Sequence, residues 1–240
     1  MQGCLGVVGG MGPLVSAEFV RTIYELGIRG REQDSPRVLL YSDPTFPDRT
    51  TAIAEGREQT LVQPLTTAIQ FLLDAGAAQV VICCVTVHQV LPAVAPQLRQ
   101  RIRSLIDVVV DELAASNERH LMLASTGTRR SRLFERNERW SAVSDRVVLP
   151  DDADQDRIHQ SIYRLKSNED VEHVLPLVDE LTRKYGVRSF IAGCTEMHFI
   201  AKRLGTATAP QIGAVDPLLV IARELADGAV RLKADTTSSV

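Results

Sequence analysis

Short apolar runs closed by glycine or small polar residues recur along this chain and alternate with longer stretches of helical periodicity. The runs Leu5 to Val8, Val38 to Tyr41, Gln79 to Cys83, Leu121 to Ala124, Arg146 to Leu149 and Ser189 to Ala192 predict strands. Apolar positions at helical spacing predict helices over Leu14 to Leu26, Thr51 to Ala75, Pro92 to Ser116, Ser131 to Trp140, Asp154 to Leu165, Asn168 to Tyr185 and Pro217 to Leu232. A further strand is expected at Gln211 to Ala214 before the last helix, and the small polar residues Ala234 to Val240 are expected to fray as a tail. Strands alternating with helices indicate βαβ units and parallel sheets.

The plan occurs twice. Cys4-Leu5-Gly6-Val7-Val8-Gly9-Gly10 and His120-Leu121-Met122-Leu123-Ala124-Ser125-Thr126-Gly127-Thr128 are each an apolar strand emptying into a small polar turn. Later in each half another strand ends in a cysteine turn, VVICCVTVH ending at His88 and SFIAGCTEMH ending at His198. The expected fold is α/β, with two pseudo-symmetric domains, each a parallel-rich sheet flanked by helices, and an active site in the cleft between them. The expected limits are 1–105 and 106–210, with 211–233 returning to the first half and 234–240 as the tail. Ligands of open parallel sheets bind outside the carboxyl ends of the strands. If the halves face each other, all four turns meet in one cleft.

With 240 residues the chain is long enough for two halves that each bury a core. Hydrophobic residues make up 45% and the net charge is -3, so no basic field exists to attract nucleic acid. Arg129, Arg130 and Arg132 form a local patch that reads as solvated helix surface. No apolar run approaches the roughly 20 residues of a membrane span, and no basic-apolar-cleavable leader precedes the first strand, so a cytoplasmic location is expected. Cys4, Cys83, Cys84 and Cys194 do not form a disulfide framework: adjacent Cys83 and Cys84 are poorly placed to bridge, and reduced thiols are expected.

A thiol at a strand-to-helix turn meets unpaired backbone N–H groups and a partial positive charge, which favour thiolate and lower its pKa from about 8.5 toward neutrality. The same amides, around Thr86 or Thr195, can bind a carboxylate and so hold an α-carbon near sulfur. Buried cysteines more often serve as small hydrophobes, the role expected of Cys4 within its strand and of Cys83, which faces opposite to Cys84.

Gly9-Gly10-Met11-Gly12-Pro13, Pro47-Asp48-Arg49-Thr50, Cys84-Val85-Thr86-Val87-His88, Ser125-Thr126-Gly127-Thr128 and Gly193-Cys194-Thr195-Glu196 stand in the order and approximate spacing of the aspartate/glutamate racemase superfamily. The chain resembles its aspartate racemase branch from residue 5 to about residue 225. The resemblance implies an isomerase that inverts an amino acid's α-carbon without pyridoxal phosphate or any other cofactor or metal. Cys84 and Cys194 match the catalytic pair, one thiolate removing the α-proton while the opposite thiol protonates the other face. General acids and bases work best with pKa values near the operating pH.

By the same resemblance Arg49 matches a carboxylate-binding arginine, and Lys166 falls where aspartate racemases carry a lysine for the second carboxylate. Met11, Val85, Thr86, Thr126, Thr128, Thr195 and Glu196 complete the expected substrate-binding set. Thr126 and Thr128 are hydrogen-bond donors or turn formers, and Glu196 orients Cys194 or meets the substrate ammonium. Lys166 also fits a helix-end surface lysine, and His88 fits packing as well as proton transfer. The chain departs from the family at Val85, where Cys-Asn-Thr-Ala-His is usual, and at Ser42-Asp43, where asparagines are common. Both changes bear on preference for aspartate. Family members are often dimers, so a homodimer is possible, with a small amino acid as the substrate partner.

Other functions carry less. A one-thiol decarboxylase of the same superfamily has no use for the second cysteine. A noncatalytic amino-acid-binding protein draws its support from Val85. Zinc held by Cys84, His88 and Cys194 has too few ligands for a structural site. Nucleotide binding at Gly6 to Gly12 lacks the glycine fingerprint and its acidic partner.

Overall fold

In a computed structural model of the protein the described residues are 3–28, 30–206 and 212–228. The expected helix end at Leu232, the start of the last strand at Gln211 and the tail 234–240 lie outside them. The first half runs β1 (Cys4–Gly9), α1 (Pro13–Gly27), β2 (Arg37–Ser42), α2 (Arg49–Ala54), α3 (Val62–Asp74), β3 (Ala77–Ile82), α4 (Pro96–Arg99) and β4 (Ile102–Arg103). The second continues with α5 (Leu105–Ala115), β5 (His120–Ala124), α6 (Thr126–Arg130), β6 (Val147–Val148), α7 (Asp152–Lys166), α8 (Leu175–Lys184), β7 (Ser189–Gly193), α9 (Met197–Gly205), β8 (Gly213–Val215) and α10 (Pro217–Ala226).

The strands form two four-stranded sheets, ordered β2-β1-β3-β4 and β6-β5-β7-β8, and every pairing is parallel. The orders are equivalent strand for strand, so the expected α/β architecture of two related sheets is present. Each cysteine turn follows the third strand of its half. That strand lies inside the sheet and is covered on both faces, which explains apolar runs without polar alternation.

Alternation along the strands sorts the core. Val8, Val80, Ile82 and Cys84 pack with Leu61, Leu65, Ile69 and Leu72 on one flank of the first sheet. Leu123, Ala192 and Cys194 pack with Ile158, Ile162 and Leu181 on one flank of the second. The intervening residues turn to a third cluster shared by both halves, where Val7, Val81, Cys83 and Val85 meet Met122, Ile191, Val215 and Leu218 around α1, α5 and α10. Cys83 is therefore core and Cys84 lies on the opposite face.

Several expected helices are shorter. Thr51 to Ala75 divides into α2 and α3 around Gly56, whose φ of 65° ends the first piece. Pro92 to Ser116 breaks because Pro92 and Pro96 lack N–H groups, and α5 starts afresh where Ser104 accepts from the Asp107 amide. Ser131 to Trp140 is reduced to 3₁₀ turns beyond Arg132, which has φ 49°. Asn168, at φ 65°, closes α7, and α8 begins only at Leu175. The segment Thr86–Ala93 after Cys84 is 3₁₀ rather than α. The helix start expected after Cys194 is α9, whose extent the helical periodicity did not give; its buried Met197, Ile200 and Ala201 repeat at helical spacing within a short run.

Candidate active site

Two glycines shape the turn after β1. Gly10 has φ 89°, and a Cβ there would meet the Asp43 backbone at 2.1 to 2.4 Å. A Cβ on Gly12 would lie 2.4 Å from Glu196 Oε1, so this turn of the first half abuts the cysteine turn of the second. Met11, buried between them, offers its carbonyl to Arg49 Nη2 at 2.7 Å. Arg49 Nη1 donates to Pro47 O at 3.1 Å. Asp48 caps α2 by accepting from the Thr51 amide, which starts the helix at Arg49 and fixes where the guanidinium leaves the backbone.

The halves interlock through matched threonines. Thr86 Oγ1 lies 3.0 Å from Ser125 Oγ and 2.9 Å from Thr128 Oγ1, while Thr195 Oγ1 donates to Cys83 O at 3.3 Å. The Cys84 turn thus grips the second half and the Cys194 turn grips the first. Thr128 is engaged in this network; the Thr126 amide donates to His159 Nδ1 at 3.3 Å, leaving the Thr126 hydroxyl buried without a partner. Gly127 permits the approach, since a Cβ there would press on Thr50 Oγ1 at 2.8 Å.

Cys84 and Cys194 are 5% and 4% exposed. Cys194 Sγ donates to Glu196 Oε2 at 2.8 Å, and Glu196 Oε1 is buried without a hydrogen-bond partner. Burial first, and then the Glu196 carboxylate, push the Cys194 thiol well above its ordinary range. The expectation that a helix-start position acidifies both thiols therefore fails at Cys194. The backbone dipole is outweighed there by desolvation and by an anion within hydrogen-bond reach.

Two cations balance this anion. Burial opposes the charge on Arg49, but Cys84, Asp48 and Glu196 outweigh it and raise the Arg49 pKa. Lys166 behaves alike: burial lowers and Glu196 and Cys194 raise, with a net upward shift. Its ammonium sits 4.6 Å from the Tyr163 ring centre, and no ion pair holds it among the described residues. The structure thus brings Cys84, Cys194, Glu196, Arg49 and Lys166 within electrostatic reach of one another.

Other expected residues are engaged elsewhere. Val85 is buried in the shared core beside Cys83 and Val7. Asp43 accepts from the amide and hydroxyl of Thr45 at 2.8 and 2.7 Å, and these bonds, the hydroxyl first, lower its pKa. His88 Nδ1 lies 2.9 Å from Cys84 O, and the Leu105 amide donates to Nε2 at 3.3 Å. An amide only donates, so Nε2 is unprotonated and Nδ1 carries the hydrogen. Burial lowers the His88 pKa to about 4, which makes it a neutral structural tie. With both nitrogens used, it has no lone pair for zinc.

On the α7 face, sequence reasoning named Lys166 and missed its neighbours His159 and Tyr163. His159, Tyr163 and Lys166 follow one another at spacings of four and three, and Tyr163 donates to Asp48 Oδ2 at 2.8 Å across the halves. That spacing was visible, but nothing local in it names Asp48 as the partner.

No helix among the described residues is long and apolar enough to cross a membrane. The Picrophilus torridus aspartate racemase structure superposes with a TM-score of 0.79 at 24% identity, covering 95% of this chain and 94% of that one. Glutamate racemase from Francisella tularensis subsp. tularensis, in complex with D-glutamate, gives 0.58 at 15% identity over 99% and 84%. These likenesses concern the fold. An uncharacterized protein from Pectobacterium carotovorum subsp. carotovorum is 32% identical over 120 residues, 48% of this chain and 77% of that protein. The Asp/Glu/Hydantoin racemase family profile matches residues 8–225 and supports a racemase-type function. The chain belongs to the Asp/Glu/hydantoin racemase family.

Proposed function

We propose that the protein is a cofactor-independent amino-acid racemase that passes protons between Cys84 and Cys194, with aspartate or a related amino acid as substrate. The observation that carries this is the pair of buried thiols after equivalent third strands, one on each half, sharing a site with two cations. Stereoinversion requires an acceptor on one face of the α-carbon and a donor on the other.

The surroundings favour one allotment of the resting roles. Cys194, held protonated against Glu196, takes the part of the donor in this mechanism, and Cys84, beside Arg49, takes the part of the base. The Cys84 thiolate takes the α-proton, the electron pair of the broken C–H bond passes into the substrate carboxylate system, and Arg49 stabilises that charge. Cys194 then protonates the opposite face and is left as thiolate. The reverse reaction or proton exchange with solvent resets the pair. In this reading Lys166, without an ion-pair partner among the described residues, receives a second carboxylate, and the Glu196 oxygen that has no hydrogen-bond partner accepts from the ammonium.

The test is a panel of amino acids assayed in deuterated water for α-proton exchange and chiral inversion, with no cofactor added. Exchange with inversion in the wild type, abolished in folded Cys84→Ala and Cys194→Ala variants, is expected. Binding without exchange for every amino acid would replace the racemase with a binding protein. Full inversion by either single variant would end the two-thiol mechanism.

A further inference from the structure

Each active-site cysteine is followed four residues later by a buried histidine. His88 joins the Cys84 carbonyl to the amide of Leu105, the first residue of α5, and does so as a neutral ring. His198 does its equivalent work with an acid. Its Nδ1 lies 2.5 Å from Asp216 Oδ2 and its Nε2 lies 2.9 Å from Thr22 Oγ1. His198 and Asp216 are 0% and 1% exposed. The other Asp216 oxygen accepts from the Leu218 amide at 3.0 Å and caps α10. Because β4 and β8 hold the same place in their sheets, each histidine fastens the helix leaving the fourth strand to the turn bearing the cysteine.

The second network reaches further than the first. Thr22 belongs to α1, which starts immediately after Gly12, the residue against which Glu196 Oε1 rests. The His198 amide donates to Thr195 O at 3.0 Å and the Phe199 amide to Glu196 O at 3.2 Å. The turn from Cys194 to His198 is therefore braced from α1 on one side and α10 on the other, and Glu196 points from it to the thiol. Burying an acid is costly, and apolar contacts could fill the same space; what the pair supplies in addition is orientation.

We propose that the His198–Asp216–Thr22 network is a positioning device for proton transfer, setting the pitch of the Cys194 turn and thereby the contact between Glu196 and the Cys194 thiol. This rests on the racemase function proposed above.

His198→Ala and the near-isosteric Thr22→Val are compared with wild type for kcat, KM and alkylation of individual cysteines by iodoacetamide, followed by peptide mass spectrometry. Displacement of a reacting group predicts a fall in kcat of about ten- to a hundredfold for His198→Ala and a smaller fall for Thr22→Val, with KM within about threefold. Alkylation of Cys194 accelerates relative to buried Cys4 in the same sample, because the thiol loses its hold on Glu196. Asp216→Asn, which can still cap α10 and hydrogen-bond the ring in its other tautomer, restores most of the kcat that Asp216→Ala loses.

Unchanged kcat in folded His198→Ala and Thr22→Val, or acceleration of Cys4 and Cys194 by the same factor, would overturn the proposal. If His198→Ala does not fold, Thr22→Val decides by the same two readouts. A wild-type protein inactive on every amino acid would sink the racemase function, whereas alkylation reads the positioning without turnover.

Discussion

Acid should weaken the fold through His88, and the size of the effect follows from its surroundings. The ring is enclosed between Cys84 O and the Leu105 amide, and burial holds its pKa at about 4 against an ordinary 6.5. In the unfolded chain the same ring binds a proton as pH falls through 6.5, while in the folded protein it stays neutral until about 4. Its contribution to stability is therefore complete above pH 6.5 and is lost as pH falls toward 4, a total of about 3 kcal/mol. In the middle of that window the slope is about 1.4 kcal/mol per pH unit. In His88→Gln the pH-dependent part disappears, although the variant is less stable at pH 7 by about 1 to 3 kcal/mol where glutamine does not keep both the Cys84 carbonyl and the Leu105 amide satisfied. Urea unfolding of both proteins from pH 7 to 4.5 should give stability curves that converge as pH falls. His120 and His159, whose pKa values burial also lowers, act in both proteins and cancel in the difference. Parallel curves would show that His88 is not held neutral.

Three further outcomes are expected. Arg49→Ala should depress kcat/KM for every amino acid by about ten- to a hundredfold, whereas Lys166→Met should do so for acidic substrates and spare neutral ones; equal losses across the panel would remove Lys166 from side-chain recognition. Cys83→Ala should retain turnover while losing about 1 to 3 kcal/mol of stability in thermal melts, because its thiol fills the shared core; a folded but inactive protein would exchange its role with Cys84. Gly10→Ala should destabilise the fold by more than about 1 kcal/mol, read from the same melts, since the added Cβ meets the Asp43 backbone and φ is 89°; an unchanged melting temperature would contradict the turn geometry.

What the sequence disclosed depended on the range of the interaction. Strand alternation separates Cys83 from Cys84 without any tertiary knowledge, and the repeated order of turns anticipates two equivalent sheets. Helix limits between residues 92 and 105 were less legible, because periodic apolar positions continue through proline breaks that reset the backbone. The protonation of Cys194 was legible only in part. Its place before a helix suggested acidity, and the opposing terms are burial, which needs the whole fold, and the approach of Glu196, which needs its side-chain direction. The partners of Tyr163 and His198 were not legible at all: Asp48 lies 115 residues from Tyr163, and Thr22 lies 176 from His198.

The apolar cluster shared by the two sheets predicts that neither half is self-sufficient. Leu105, Val109 and Leu113 on α5, and Leu218, Ile221 and Leu225 on α10, are buried in one cluster that draws on residues of both sheets, so the whole cluster forms only when both are present. Cutting the chain between β4 and α5 would leave each fragment with a sticky face, prone to aggregate alone. Mixed during refolding, the fragments should rescue each other, and activity regained from two inactive pieces would report how strongly this common interior acts as a template for reassembly.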